Sequence, residues 1–129
     1  ALISLVANKK QLSQHTSFIP KEALNKKPTT IIYQDPIGLA KNLIAEDNSA
    51  AIRIVKDEFC KKIILKFGKP IVATSANISG EENVSCFNEI SNDIIKHIDY
   101  IVNLRKNEKM SRASDILKVN PKGEIIKIR

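Results

Sequence analysis

The sequence predicts an α+β fold with α/β-like layers: a twisted, mixed β-sheet flanked by helices. Three observations carry this expectation. Short β-branched runs alternate with stretches whose apolar residues recur at helical spacing. Turn signals separate them, among them Pro28, Gly68 and the run Asn120-Pro121-Lys122-Gly123. The chain of 129 residues, 43% hydrophobic and 27% charged, has the size and balance of one soluble domain with its own core.

The elements follow in order. Ala1–Val6 (ALISLV) is apolar and β-branched and ends at Ala7-Asn8, which predicts a buried strand. Residues 9–18 are polar and suit a short helix. Pro20 and Pro28 bracket a segment with helix potential at Lys21–Asn25. Thr29–Tyr33 (TTIIY) predicts a strand. Residues 34–48, with Pro36 and Gly38, read as loop with one apolar patch. Ala50–Val55 (AAIRIV) predicts a strand interrupted by Arg53. The strongest helix signal follows. Asp57 stands as N-cap, Phe59, Cys60, Ile63, Ile64 and Phe67 share one side, and Gly68 stops the helix. Ile71–Thr74 predicts a strand and Ser75–Gly80 (SANISG) a loop of small residues. Phe87, Ile90, Ile94, Ile95 and Ile98 predict a second helix, and Tyr100–Leu104 a strand. Residues 105–112 form a basic loop. Asp115–Val119 and Glu124–Arg129 flank Asn120–Gly123 as a hairpin.

Composition excludes several classes. No apolar run approaches the ~20 residues of a membrane helix. Cys60 and Cys86 are too few and too far apart for a disulfide framework or a zinc site, and read as reduced thiols of a cytoplasmic protein. His15 and His97 lack evident metal-ligand partners and read as surface residues. Gly68-Lys69-Pro70 is not a P-loop, and no Gly-x-Ser-x-Gly elbow occurs. Aromatics are 5% with no Trp, against a base-stacking platform. The net charge of +7 favours polyanionic partners without choosing among them; a well-solvated surface accounts for it equally.

Two places suit chemistry. Ser75-Ala76-Asn77-Ile78-Ser79-Gly80 follows an apolar strand. Small side chains there let a ligand approach the backbone, and Ser and Asn side chains and free N–H groups can bond phosphate or carboxylate oxygens. The same run also reads as a capped turn without a ligand. Arg53 is a guanidinium inside an apolar strand. It needs a wet face, a carboxylate or an anionic ligand. It also reads as the solvent-facing position of an alternating strand. Ser49, four residues earlier, can share its face. Ser114 and Arg129 are less distinctive.

At Lys69–Gly80 (KPIVATSANISG) the sequence closely resembles the signature of the YrdC-like family, the threonylcarbamoyl-AMP synthases that begin N6-threonylcarbamoyladenosine formation on tRNA. Pro28–Ile32 resembles the family's P-x-T-[IL]-[IV] strand, Ser49–Ile54 its T-[VI]-[AG]-[VI]-R-[IVM] strand, and Ser114-Asp115-Ile116 a late S-T-[IV], with Asp115 departing from Thr. Gly123–Arg129 resembles a closing strand that ends in Arg. The resemblance implies a YrdC/RibB-like fold with a concave, positive face. It implies a nucleotidyltransferase that makes threonylcarbamoyl-AMP and pyrophosphate from ATP, L-threonine and bicarbonate, with Mg²⁺ on the phosphates. Arg53 would bind the threonine carboxylate, with Ala73 and Ser114 lining the same pocket. Ser49, Ser75, Asn83 and Arg129 would contact the nucleotide. Asn77, Ser79 and Gly80 belong to the motif loop, which Asn77 would order. No residue receives a catalytic role in the strict sense. The implied partners are tRNA or double-stranded RNA and the downstream threonylcarbamoyl-transferase machinery, with no membrane.

Residues 1–129 read as a single YrdC-like domain. The family's P-T-[DE]-T-x-Y-G-L and K-x-R segments precede the strand that matches Ala1–Val6, and neither precedes it here. The chain is therefore expected to be the C-terminal two-thirds of a synthase, inactive alone, or else a divergent remnant. Two other readings stay open: a double-stranded RNA-binding module of the same fold without catalysis, and the carbamoyl-transfer version found in hydrogenase maturation, whose acylphosphatase and zinc segments are not seen.

Overall fold

Six strands build one mixed sheet in the order β4-β1-β3-β2-β5-β6. They are β1 (Ile3–Val6), β2 (Thr29–Gln34), β3 (Ser49–Ile54), β4 (Ile71–Ala73), β5 (Asp115–Val119) and β6 (Ile125–Lys127). The computed structural model describes residues 2–110 and 112–129. β1 runs parallel to β3, and β2 parallel to β5; β1 with β4, β2 with β3, and β5 with β6 are antiparallel. Among the described residues there are three α-helices: α1 (Lys9–Leu12), α2 (Glu58–Phe67) and α3 (Asn92–His97). Ala1–Thr74 with Ser114–Arg129 form one compact unit, and Ser75–Ala113 a second.

Alternation along the strands sorts side chains onto two faces. One face is the core. Val6, Ile31, Tyr33, Ile52, Ile54 and Val119 pack there with Leu12 of α1 and Ala23 of a 3-10 turn at Lys21–Leu24. The register Ile31↔Ile52 and Val6↔Ile54 keeps this stripe continuous. Burial pushes the Tyr33 phenol well above its usual range. The opposite face carries Leu5, Arg53, Thr30 and Ile116, aligned by Leu5↔Arg53, Thr30↔Arg53 and Thr30↔Ile116. Leu5, Arg53 and Ile116 are only half-buried.

Local signals work where they are strong. Asn8 caps α1 by accepting from the Gln11 N–H at 2.9 Å, and the Gln11 carboxamide oxygen accepts from the Ala7 N–H at 2.7 Å. Asp57 Oδ2 accepts from the Cys60 N–H at 2.9 Å at the start of α2. Gly68, at φ 77°, closes α2 with its N–H on the Ile64 carbonyl. Within α2 only Ile64 is buried; Phe67 is 62% exposed. Ile63 and Phe67 line an apolar groove of about 460 Å³ with Pro70, Ile71 and Val72.

Three expectations are corrected. Residues 87–98 are not one helix: a 3-10 turn at Phe87–Glu89 ends at Ile90, and the Ser91 hydroxyl accepts from the Asp93 N–H to start α3 afresh. Cap chemistry outweighed the apolar spacing, since neither piece buries a residue. Tyr100–Leu104 forms no strand. No strand lies between Ser75 and Ala113 among the described residues, so its backbone has no partner in that unit, and Tyr100 is 80% exposed. His15 is not on the surface but 6% exposed. Its Nδ1–H donates to the Ile37 carbonyl at 2.9 Å, and a Cβ added at Gly38 would stand 3.3 Å from the same nitrogen. The ring serves as a packed cross-brace, which its sequence neighbourhood does not signal.

Candidate functional site

Three of the residues singled out by sequence, Arg53, Ser114 and Arg129, are linked by hydrogen bonds that pass through Thr30 and Ser114. Arg53 sits mid-β3 opposite Thr30 of β2. Its Nη1–H reaches Thr30 Oγ1 at 3.5 Å, the long end of hydrogen-bond range. Thr30 Oγ1 lies 2.9 Å from Ser114 Oγ, across 84 residues of sequence. Arg129 Nη2 donates to the Ser114 carbonyl at 3.2 Å. Backbone bonds between Ile116 and Arg129 hold that pairing in place. Arg53, Thr30 and Ser114 thus form one side-chain series, and Arg129 joins it at the Ser114 backbone carbonyl.

Burial lowers the Arg53 pKa from its usual value, and Cys60 of α2 acts in the opposite direction. The guanidinium stays charged at neutral pH. Among the described residues no carboxylate pairs with it. A half-buried cation whose hydrogen-bonding partner is a neutral hydroxyl keeps most of its five donors for an anion. Ser114 is buried, and its hydroxyl bonds the same Thr30 hydroxyl that this cation reaches.

Ser49 shares the face with Arg53 by strand alternation, four residues or roughly 13 Å away. Its hydroxyl donates to Asp47 Oδ1 at 2.5 Å, and Lys118 Nζ donates to Asp47 Oδ2 at 2.9 Å. The bond from Ser49 and the contact with Lys118 hold Asp47 down to about 2. For Ser49 to donate to a phosphate oxygen it must release Asp47. Ala73 of β4 also faces this side, paired with Ile3 of β1. It is two strands from β3, ~10 Å across the sheet, on the side away from Ser114.

The second unit carries the motif loop. Asn77 Nδ2 donates to the Glu81 carbonyl at 3.0 Å and to the Ile78 carbonyl at 3.2 Å, so this side chain ties the turn. Asn77 Oδ1 is buried without a partner. Ser75, Ser79, Gly80 and Asn83 are exposed. Further along, the Ser85 N–H donates to Glu89 Oε2 at 2.7 Å, which lowers the Glu89 pKa, and Lys106 Nζ lies 4.9 Å from the centre of the Phe87 ring.

Sequence reasoning missed Thr30, Asp47 and Lys118. Thr30 stood inside the quoted strand run, but nothing local marks it as Arg53's neighbour; only strand register does. Among the described residues no three His, Cys, Asp or Glu side chains gather to hold a metal ion. No helix among them is long and apolar enough to cross a membrane.

Comparison with known proteins bears on this arrangement. The model of the Sua5/YciO/YrdC family, described as telomere recombination, matches residues 1–129. A Methanocaldococcus jannaschii protein provisionally named threonylcarbamoyl-AMP synthase is 33% identical over 102 residues, 79% of this chain and 46% of that one. The threonylcarbamoyl-AMP synthase of Riesia pediculicola is 34% identical over 83 residues, 64% of this chain and 40% of that one. The solved structure of a doubly substituted P. abyssi Sua5 superposes with a TM-score of 0.77 at 22% identity, covering 99% of this chain and 40% of that chain. The chain thus spans about half, or less, of the length of the relatives it matches.

Proposed function

This chain belongs to the Sua5/YciO/YrdC family, and from that premise we propose that it supplies the amino-acid-carboxylate part of a threonylcarbamoyl-AMP synthase site. One observation carries the reading. Arg53 is a half-buried guanidinium on the second face of the sheet, with no paired carboxylate among the described residues and with the Ser114 hydroxyl 2.9 Å from that of its neighbour Thr30. A planar fork beside a hydroxyl suits a carboxylate, which accepts two parallel charge-assisted bonds.

In this reading L-threonine docks its carboxylate on Arg53 and Ser114. Its amine and bicarbonate form a carbamate with loss of water. A carbamate oxygen attacks the α-phosphorus of ATP, and the bond from that phosphorus to the bridging oxygen breaks to release pyrophosphate. The protein forms no covalent bond; it orients two anions and offsets their charge. Arg129, held against Ser114, and Ser49, once freed from Asp47, are assigned to the nucleotide; Ser75 and Asn83 are given the same role on the family resemblance alone. Ala73 is assigned to the edge of the threonine pocket. Mg²⁺ enters with the triphosphate as part of the nucleotide substrate. The net charge of +7 supports polyanionic ligands, and tRNA and the downstream transferase are carried as partners of the same proposal.

Titration calorimetry on the complete gene product tests the reading. L-threonine should bind, and L-threoninol, which has a hydroxymethyl group in place of the carboxylate, should not. Equal binding of the two would remove the carboxylate from the recognition.

A further inference from the structure

We propose that Thr30 is a positioning residue of this site, fixing the Arg53 fork and turning the Ser114 hydroxyl hydrogen toward the bound anion. This deepens the carboxylate reading and rests on it. Thr30 is 1% exposed, so it does not touch a ligand itself. Its hydroxyl stands between Arg53 Nη1 at 3.5 Å and Ser114 Oγ at 2.9 Å.

The direction of the hydrogens follows from what each group can do. A guanidinium only donates. Thr30 Oγ1 therefore accepts from Arg53, and its single hydrogen goes to Ser114 Oγ, the other oxygen in reach. Ser114 then accepts from Thr30 and keeps its own hydrogen. That hydrogen has no acceptor among the described residues, while the Ser114 carbonyl is already bonded to Arg129. Arg53 and Ser114 so present donors only. A carboxylate satisfies both with two charged oxygens that only accept; an amide or hydroxymethyl group offers a single uncharged oxygen and brings a donor of its own. Reversing the Thr30 hydroxyl would set its hydrogen against the guanidinium, so the charge of Arg53 locks the order. The β2–β3 pairing at Thr30↔Arg53 places the two side chains on one face without a loop intervening, which gives the positioning its rigidity.

The test compares Thr30→Val, Thr30→Ser and Arg53→Ala in the complete gene product. Threonine affinity, ATP affinity and melting temperature are measured for each. Val matches Thr in shape and is at home in a strand, so it removes the hydroxyl alone. Thr30→Val should weaken threonine about three- to thirtyfold, the loss of one bond to a charged group with its orienting effect. ATP affinity should stay within about twofold, and Thr30→Ser should restore threonine binding. If Arg53→Ala weakens threonine and Thr30→Val does not, the positioning proposal is wrong and the carboxylate reading stands. If Arg53→Ala leaves threonine unchanged, the carboxylate reading fails and takes the proposal with it. Should Thr30→Val not fold, Thr30→Ala against Thr30→Ser gives the same comparison. An equal loss for threonine and ATP in Thr30→Ala would mark a structural role only and overturn the proposal.

Discussion

Replacing Arg53 by Ala separates binding from folding. The side chain is half-buried, its lowered pKa records lost hydration, and its hydrogen bond to protein is the 3.5 Å contact to Thr30. Removing it therefore takes away a group whose burial opposes folding and breaks one weak bond. Stability should change by about 1 kcal/mol or less, a shift of roughly 4 °C in a chain of this size. Binding is another matter. A bond from a guanidinium to a carboxylate contributes about 1.5–3 kcal/mol, which is roughly ten- to a hundredfold in affinity. Arg53→Lys keeps the charge and loses the fork, so it should fall between wild type and Ala. The assay is calorimetric titration with L-threonine and, separately, with ATP, alongside circular dichroism. Unchanged threonine affinity in a folded Arg53→Ala variant would refute the argument and leave Arg53 as an ordinary strand residue on a wet face.

Other perturbations test the frame that holds the site. Ile52→Ala, at a position 1% exposed in β3 and adjacent to Arg53, should destabilise the fold by about 2–5 kcal/mol in denaturant titration, through lost contacts and the cavity left behind. Asp57→Ala removes the cap of α2 and should destabilise by about 1 kcal/mol, read in the same titration. Asp47→Asn concerns pH: the folded carboxyl titrates at about 2 against an ordinary 3.8, so its stabilising contribution is complete above about pH 4 and lost as pH falls through 2. The wild type should lose stability across that window more steeply than the variant, and identical profiles would show that Asp47 contributes nothing there.

What could be read from sequence was what local chemistry controls. Asp57 and Gly68 bracket α2 because a cap and a left-handed stop act within one turn of the chain. Arg53 was legible as a conflict, a charge in an apolar strand, and the structure leaves that charge on the less buried face. Thr30 was not legible. Its role comes from the β2–β3 register, and residues 35–48 between those strands make a connection too long for a turn type to set it. Its bond to Ser114 spans 84 residues, beyond any local pattern. Tyr100–Leu104 shows the converse. Its composition favours a strand, but a strand needs a partner for its backbone, and that unit offers none among the described residues. His15 was misplaced because burial of a polar ring depends on the carbonyl of Ile37, set by the fold and not by its neighbours in sequence. The motif loop was legible as a turn; only the family resemblance implied that Asn77 orders it, and the Asn77 amide bonds the Ile78 and Glu81 carbonyls.

The most direct measurement is pyrophosphate release from ATP by the complete gene product, with and without L-threonine and bicarbonate, and with the nucleotide product weighed by mass spectrometry. The account predicts release that depends on both additions and a product with the mass of threonylcarbamoyl-AMP, reduced by Arg53→Ala. Folded protein that binds ATP but releases no pyrophosphate in response to threonine would contradict it.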